Sequence, residues 1–390
     1  MNILIATGIF PPDIGGPATY VEKFAHELNF SDFKTAVITY SDREPELGYE
    51  FPVIRISRRY PKAIRHFLYF FRLLFMGKDF DVVFAQNPFS AGFPAVIAGK
   101  ILRKKVLLKI VGDAAWEHYM NKIQNPKSKI QNYDSLENFQ TKKHDFLTEL
   151  IRKTQKFVAR SASKIIVPSQ YLKRLVLGWG IPEGKIEVIY NAIEKSSTFP
   201  IPKFEAKKEI GEEKSIILSV GRLSSWKGFE ALIEIMPSLI KENPNLKLII
   251  VGSGEEKQRL ELKIRELKIE NSVKLAGLVH HQNIPLYFKA ADVFVLNSEY
   301  EGLSHTILEA MQFGVPVVCS NKGGNPELVE SGHNGFLAEY NNKDQLKEAI
   351  LKILQDKVLQ EKFIQNSYLK LRDFNWESLV ARTINMLKLL

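Results

Sequence analysis

Short runs of buried-type residues alternate with helix-length amphipathic segments along the whole chain. In the first half the runs are "NILIATG", "TAVITY", "DVVFAQ", "VLLKIVG", "KIIVPS" and "IEVIYN"; in the second they are "SIILSVG", "LKLIIVGSG", "VKLAG", "DVFVLN" and "PVVCS". Several are nearly continuous Val, Ile and Leu, the pattern of strands covered on both faces. Their alternation with helical segments predicts parallel, doubly wound sheets joined by right-handed crossovers. Between the two sets, Glu194 to Lys214 is rich in Pro, Ser and Lys without a clear period, and reads as an interdomain linker. A second irregular stretch, Asn121 to Lys143, follows a strand end and fits either an active-site flap or a surface insertion.

Composition narrows the class. A chain of 390 residues, 45% hydrophobic and 25% charged, has material for two cores. A lone cysteine, Cys319, excludes a disulfide framework and a Cys-based zinc site, and favours a reducing compartment. The opening "MNILIATGIFPP" lacks a basic leader and reads as a first strand. The apolar stretch "HFLYFFRLLFM" is too short to span a bilayer. Charge is uneven: residues 1–195 hold 29 Lys and Arg against 19 Asp and Glu, whereas residues 196–390 hold 25 of each. The two halves are therefore expected to meet different partners.

In open α/β sheets, ligands bind beyond the carboxyl ends of the strands. Gly8, Gly112, Gly221 and Gly252 all stand at such ends, and two such sheets facing one another would hold a ligand in the cleft between them. "GRLSSWKG" sets Arg222 and Lys227 between a buried strand and a helix starting near Gly228. Two cations beside free N–H groups suit a diphosphate, although solvated surface cations fit the spacing as well. In "EYEGLSHTILEAM", Ser304 is a helix N-cap, Glu301 lies in the loop before it, and Glu309 sits on a helix that is otherwise apolar. A buried carboxylate needs hydrogen-bond donors, which sugar hydroxyls would supply. The paired Gly15 and Gly16 of "GGPATYV" would let backbone approach a ligand, or simply make a turn. Asp79-x-Asp81 falls at the start of a strand, the wrong end for a ligand. Walker, GxGxxG, HExxH and GxSxG patterns are absent, and no His spacing suggests a metal.

Taken together, these motifs resemble the retaining GT-B glycosyltransferases of family 4, glycosyltransferase group 1, over nearly the whole chain. "SVGRLSSWKG", "LIIVGSGEE", "SEYEGLSHTILEAM" and "GGNPELVESGHNGFL" carry most of the likeness, with "PPDIGGPATYV" and "FNWESLV" adding to it. The resemblance implies an α/β GT-B fold of two doubly wound, Rossmann-like parallel-sheet domains facing a central cleft. Residues 1–195 would form the acceptor-side domain, 196–213 the linker and 214–373 the donor domain, with 374–390 a helix packing back on the first domain. It implies that Glu309 binds the ribose, that Glu301 touches the transferred sugar and that Arg222 and Lys227 neutralise the diphosphate. Gly16 would approach the phosphates or the acceptor, Gly15 and Gly221, with Gly302, Leu303 and Ser304 around the glutamate loop, would line the donor site, and Gly252, Gly254 and Leu278 would frame the base. Many relatives carry a His-Asp pair at the strand end "KIVGDAAWEH"; here Gly112 replaces the His, and Asp113 enters as a candidate sugar contact.

The implied activity is retaining transfer from a UDP-, GDP- or ADP-sugar to a hydroxyl on a glycan, glycolipid or small molecule, without metal or further cofactor, in cell-envelope polysaccharide or glycolipid synthesis. A catalytically silent sugar-nucleotide binder, or a GT-B phosphorylase or epimerase, is the alternative. Arg55 to Lys78 has seven Lys and Arg, no acid and many aromatics. It fits a helix lying in an anionic membrane surface, which would make the protein cytoplasmic and peripheral on the inner face of the membrane. It equally fits a helix whose aromatics pack on the sheet while its cations are solvated. No recognised nucleic-acid module accompanies the charge.

Overall fold

The computed structural model describes residues 1–13, 15–31, 33–43, 48–123, 135–194 and 201–390. They divide into two compact units, residues 1–190 with 377–390, and residues 191–376. Residues 124–134 of the stretch read as a flap or insertion, and residues 196–200 of the linker, lie outside the described residues.

The first unit is built on seven parallel strands: β1 (Asn2–Ala6), β2 (Lys34–Tyr40), β3 (Val53–Ile56), β4 (Val82–Ala85), β5 (Lys105–Lys109), β6 (Lys164–Val167) and β7 (Ile186–Val188). Their order is β3-β2-β1-β4-β5-β6-β7. Ile3, Leu4 and Ile5 of the central β1 are fully buried, as expected of a strand covered on both faces. Helices Lys62–Met76, Gly92–Leu102 and Phe146–Ser161 pack side by side. The C-terminal helix Trp376–Lys388 is fixed to the unit by Arg382, whose Nη2 donates to Glu187 Oε1 at 2.6 Å and to the Val188 carbonyl at 2.8 Å.

The second unit has six parallel strands: β8 (Ser215–Val220), β9 (Leu246–Val251), β10 (Val273–Gly277), β11 (Val293–Leu296), β12 (Val317–Ser320) and β13 (Gly335–Ala338). They run in the order β10-β9-β8-β11-β12-β13. Its core combines Ile217, Ile250, Val295 and Val318 of the sheet with Leu232 and Met236 of the helix Phe229–Glu242. In each unit the strand order reverses once, between β1 and β4 and between β8 and β11. Loops leaving the two strands there diverge and open a crevice.

Two irregular readings need correcting. Part of the linker is a helix, Lys203–Glu209, held by Lys203 and Lys207 on Asp292 at 2.7 and 3.0 Å. The stretch Asn121–Lys143 contains a second helix, Leu136–Thr141, capped by Ser135. Both helices are about two turns long, too short for their apolar spacing to stand out from loop sequence.

Candidate active site

In the second unit the reversal point brings Lys227 and Glu301 together. β8 ends at Val220, and the chain turns through Gly221 and Arg222 into a 3₁₀ turn, Ser225–Lys227. β11 ends at Leu296 and leads through Asn297 to Glu301. Lys227 Nζ donates to Glu301 Oε1 at 2.5 Å, and both side chains are largely buried. Glu299 N donates to the Trp226 carbonyl at 2.8 Å, so backbone as well as side chains tie the two loops. Gly228 links the 3₁₀ turn to the helix Phe229–Glu242 at a φ of 62°, and a Cβ there would meet the Asn297 carbonyl at 2.1 Å. Only glycine satisfies both demands.

Arg222 is turned elsewhere. Its Nη2 and Nε donate to Glu255 Oε2 at 3.1 and 3.3 Å, and its side chain is mostly exposed. Ser304 caps the helix His305–Gln312, accepting from Ile307 N at 3.3 Å. Ile307, Leu308, Ala310 and Met311 bury that helix, while Glu309 is half-buried on it. Leu303 is buried and its carbonyl accepts from Asn191 Nδ2 at 3.1 Å; Gly302 is half-buried beside it. Leu278, just past β10, is exposed.

The glycines at the neighbouring strand end answer to the protein's own backbone. A Cβ on Gly252 would lie 1.9 Å from the Gly221 carbonyl, and one on Gly254 2.3 Å from the Leu223 carbonyl. Close packing of the loops after β8 and β9 therefore requires glycine at both positions. Gly16 differs: a Cβ there meets nothing within 4 Å, so internal packing does not require glycine at this first residue of the helix Gly16–Phe30. Gly15 is the residue before that helix, with its carbonyl accepting from Ala18 N at 2.9 Å.

Asp113, in the first unit, is fully buried and saturated. Its Oδ1 accepts from Ala115 N and Trp116 N, both at 3.0 Å, and from Gln155 Nε2 at 2.8 Å; its Oδ2 accepts from Gln140 Nε2 at 2.7 Å. Three donors on Oδ1 and one on Oδ2 engage this carboxylate, which anchors the start of the helix Ala114–Ile123. Asp79 and Asp81 flank the amino end of β4, where Asp81 Oδ2 accepts from Asn2 N at 2.7 Å. Among the described residues no group of three or more His, Cys, Asp or Glu is placed to hold a metal.

Several pairings escaped the sequence reading. Lys322 Nζ pairs with Glu299 Oε1 at 3.2 Å, and Gly324 N donates to the Glu301 carbonyl at 2.9 Å, so the loop after β12 grips the glutamate loop. Buried Asn297 donates to the Gly228 carbonyl at 3.1 Å and to Asn341 Oδ1 at 2.8 Å. In the first unit, Arg58 clamps the loop after β1, reaching Asp13 at 2.6 and 3.1 Å and the Gly8 carbonyl at 3.4 Å. Lys109, at the end of β5, is buried with its Nζ 3.2 Å from the centre of the Tyr20 ring, and burial lowers its pKa to about 7. No local sequence signal announces these pairings, because each partner comes from a different crossover.

This combination of two Rossmann-like parallel sheets, one with a cation–carboxylate pair at its reversal point, defines a protein of the GT-B class. Two family models account for nearly all of the chain: Glycosyltransferase Family 4 over residues 14–197 and Glycosyl transferases group 1 over residues 200–370. The chain belongs to this glycosyltransferase family and is a glycosyltransferase. An uncharacterised glycosyltransferase of Methanocaldococcus jannaschii is 26% identical over 97% of this chain and 96% of its own. The alpha-monoglucosyldiacylglycerol synthase of Streptococcus pneumoniae is 26% identical over 91% of this chain and 78% of its own. Among solved structures, Anabaena HepE in complex with UDP-glucose superposes with a TM-score of 0.80 at 22% identity, covering both chains completely.

Proposed function

We propose that the protein transfers a sugar from a nucleoside-diphosphate sugar to a hydroxyl acceptor with retention of anomeric configuration, in the synthesis of cell-envelope polysaccharide or glycolipid. The observation that carries this reading is the Lys227–Glu301 pair at the β8/β11 reversal point. An ammonium with three N–H donors has one on Glu301, leaving two for phosphate oxygens. Arg222, mostly exposed on the same turn, supplies a second cation that needs only to exchange Glu255 for phosphate. Glu309 would take the ribose hydroxyls and Glu301 the sugar.

Cleavage of the donor's C1–O bond builds positive charge on the sugar and negative charge on the departing diphosphate. Fixed cations aimed at that oxygen stabilise the transition state. The acceptor oxygen bonds to C1 on the face the diphosphate leaves, and its proton passes to the departing phosphate oxygen. No protein general base and no metal is needed in this scheme. Among UDP-, GDP- and ADP-sugar donors, HepE's complex with UDP-glucose favours starting with the uridine ones. The glycolipid product named for the Streptococcus pneumoniae relative supports a lipid acceptor taken by the basic first unit. The reading sets the reaction in the cytoplasm, which suits a single, buried cysteine.

Incubation with UDP-, GDP- and ADP-sugars, with and without candidate acceptors, tests the proposal. It predicts nucleoside diphosphate release that an acceptor accelerates. Interconversion of the sugar, dependence on inorganic phosphate, or binding without turnover would reject it for the epimerase, phosphorylase or silent binder.

A further inference from the structure

Helix Lys62–Met76 turns two faces in opposite directions. Tyr69 and Leu73 are buried, and Tyr69 Oη donates to the Thr7 and Ile38 carbonyls at 3.1 and 3.0 Å. Phe67, Phe71 and Phe75, at spacings of four along the helix, are instead exposed, with the first two rings 4.4 Å apart. The exposed apolar surface does not stop at this helix. Phe93 and Ile101 on the adjoining helix Gly92–Leu102, and Phe157 on the helix beyond it, also face solvent. These six side chains are between 40% and 71% exposed. Phe93 and Phe157 lie 6.4 Å apart, and Lys100 Nζ stands 4.8 Å from the Phe157 ring centre. Single exposed apolar residues are commonplace; six across three contiguous helices form a patch that wants a partner.

Charge selects the partner. No Asp or Glu occurs from Arg55 to Lys78 or from Val82 to Gly112, which hold seven and five Lys or Arg respectively. Helix Phe146–Ser161 has four cations and one carboxylate, Glu149, which is paired with Arg152 at 2.6 Å. Not every cation faces outward. Arg58 is committed to Asp13, Arg65 lies over the Tyr40 ring, Arg55 over the Phe10 ring, and Lys109 is buried. Arg59, Lys62, Arg72, Lys78, Lys100 and Arg103 are exposed. Outward aromatics ringed by cations, with no exposed carboxylate in the first two helices, match the interfacial region of an anionic bilayer. A second copy of this face would set cation against cation.

We propose that the three helices Lys62–Met76, Gly92–Leu102 and Phe146–Ser161 form one continuous docking face for an anionic lipid surface, with Phe67, Phe71, Phe75 and Phe93 entering the interface. This deepens the acceptor part of the proposed function, since a docked first unit meets lipid-linked acceptors. It also extends the membrane segment beyond residues 55–78 and removes Arg55, Arg58 and Arg65 from the lipid contacts.

Flotation with vesicles of phosphatidylcholine alone, or of phosphatidylcholine with phosphatidylglycerol, tests it, with hydrolysis of the nucleotide sugar measured on each variant. The full-length protein should float with the anionic vesicles, weakly with neutral ones, and less as salt rises. Arg72→Gln and Lys100→Gln should each lower partitioning about fivefold. The pairs Phe71→Ser/Phe75→Ser and Phe93→Ser/Ile101→Ser should each lower it about tenfold or more, with donor hydrolysis retained. Equal binding to both vesicles, binding to neither, or serine pairs that float like the parent would overturn the proposal. So would self-association, or nucleic-acid binding without vesicle binding, abolished by the serine pairs. Anionic flotation without any donor turnover would instead reject the donor reading and leave the docking face standing.

Discussion

Lys227 Nζ lies 2.5 Å from Glu301 Oε1, joining the turn after β8 to the loop after β11 where the strand order of the second sheet reverses. Each residue holds the other in place. The lysine gives a largely buried carboxylate a hydrogen-bonded partner, and the carboxylate holds the lysine where the proposed diphosphate would lie. Lys227→Ala should therefore cut turnover by about two orders of magnitude or more, as loss of a charge aimed at the leaving group does. Steady-state release of nucleoside diphosphate, with circular dichroism to confirm folding, checks it; a near-normal rate in a folded variant would exclude the role.

Arg222→Ala should bring a similar loss, also about two orders of magnitude. Because Arg222 is mostly exposed and paired with Glu255 on the surface, its removal should leave the melting temperature nearly unchanged. A variant that melts early but turns over normally would assign Arg222 to stability instead.

Asp113→Ala should behave in the opposite way. It strands the buried Gln155 amide, the half-buried Gln140 amide and two helix N–H groups, at a cost of about 1–3 kcal/mol. Thermal denaturation should show a clear fall in Tm, while turnover of the folded fraction at low temperature stays within a few-fold. An unchanged Tm with turnover lost would restore Asp113 as a substrate contact.

Much of the architecture is legible in the sequence, and the exceptions share a cause. Central strands such as β1, β8 and β11 are nearly continuous apolar runs because both faces are buried. The edge strands β3 and β13 escaped notice: "VIRI" and "GFLA" are only partly buried and lack that run. At the site, Arg222, Lys227, Glu301 and Glu309 stand out because strand ends and a helix cap fix their positions locally. Glu299 with Lys322, and Arg58 with Asp13, are invisible locally because separate crossovers bring them together. Why Gly252 and Gly254 must be glycine is not legible in the sequence, because the backbone that crowds them belongs to the loop after another strand.

Lys109 supplies a pH signature. Its pKa falls to about 7 in the folded protein through burial, against about 10.4 in an unfolded chain. Below pH 7 both states carry the charge and the folded state bears the whole burial cost. Between about 7 and 10 the folded lysine is neutral while the unfolded one stays protonated, so stability rises with pH. Lys109→Met removes the titration. It should raise Tm most at pH 6, with the gain shrinking towards pH 10; a constant gain across that range would contradict a buried amine.

Turnover should survive EDTA, since the proposed scheme assigns charge neutralisation to Lys227 and Arg222. Loss of activity on chelation, restored by Mg²⁺ or Mn²⁺, would contradict it.

The central claim is that Lys227 reads a diphosphate. Calorimetric titration of UDP, GDP and ADP, and of the matching nucleosides, into the parent protein and Lys227→Ala tests it most directly. One diphosphate should bind the parent far more tightly than its nucleoside, and the variant should lose most of that difference while keeping its affinity for the nucleoside. Equal diphosphate affinity in parent and folded variant, or no preference of the parent for any diphosphate over its nucleoside, would contradict the account.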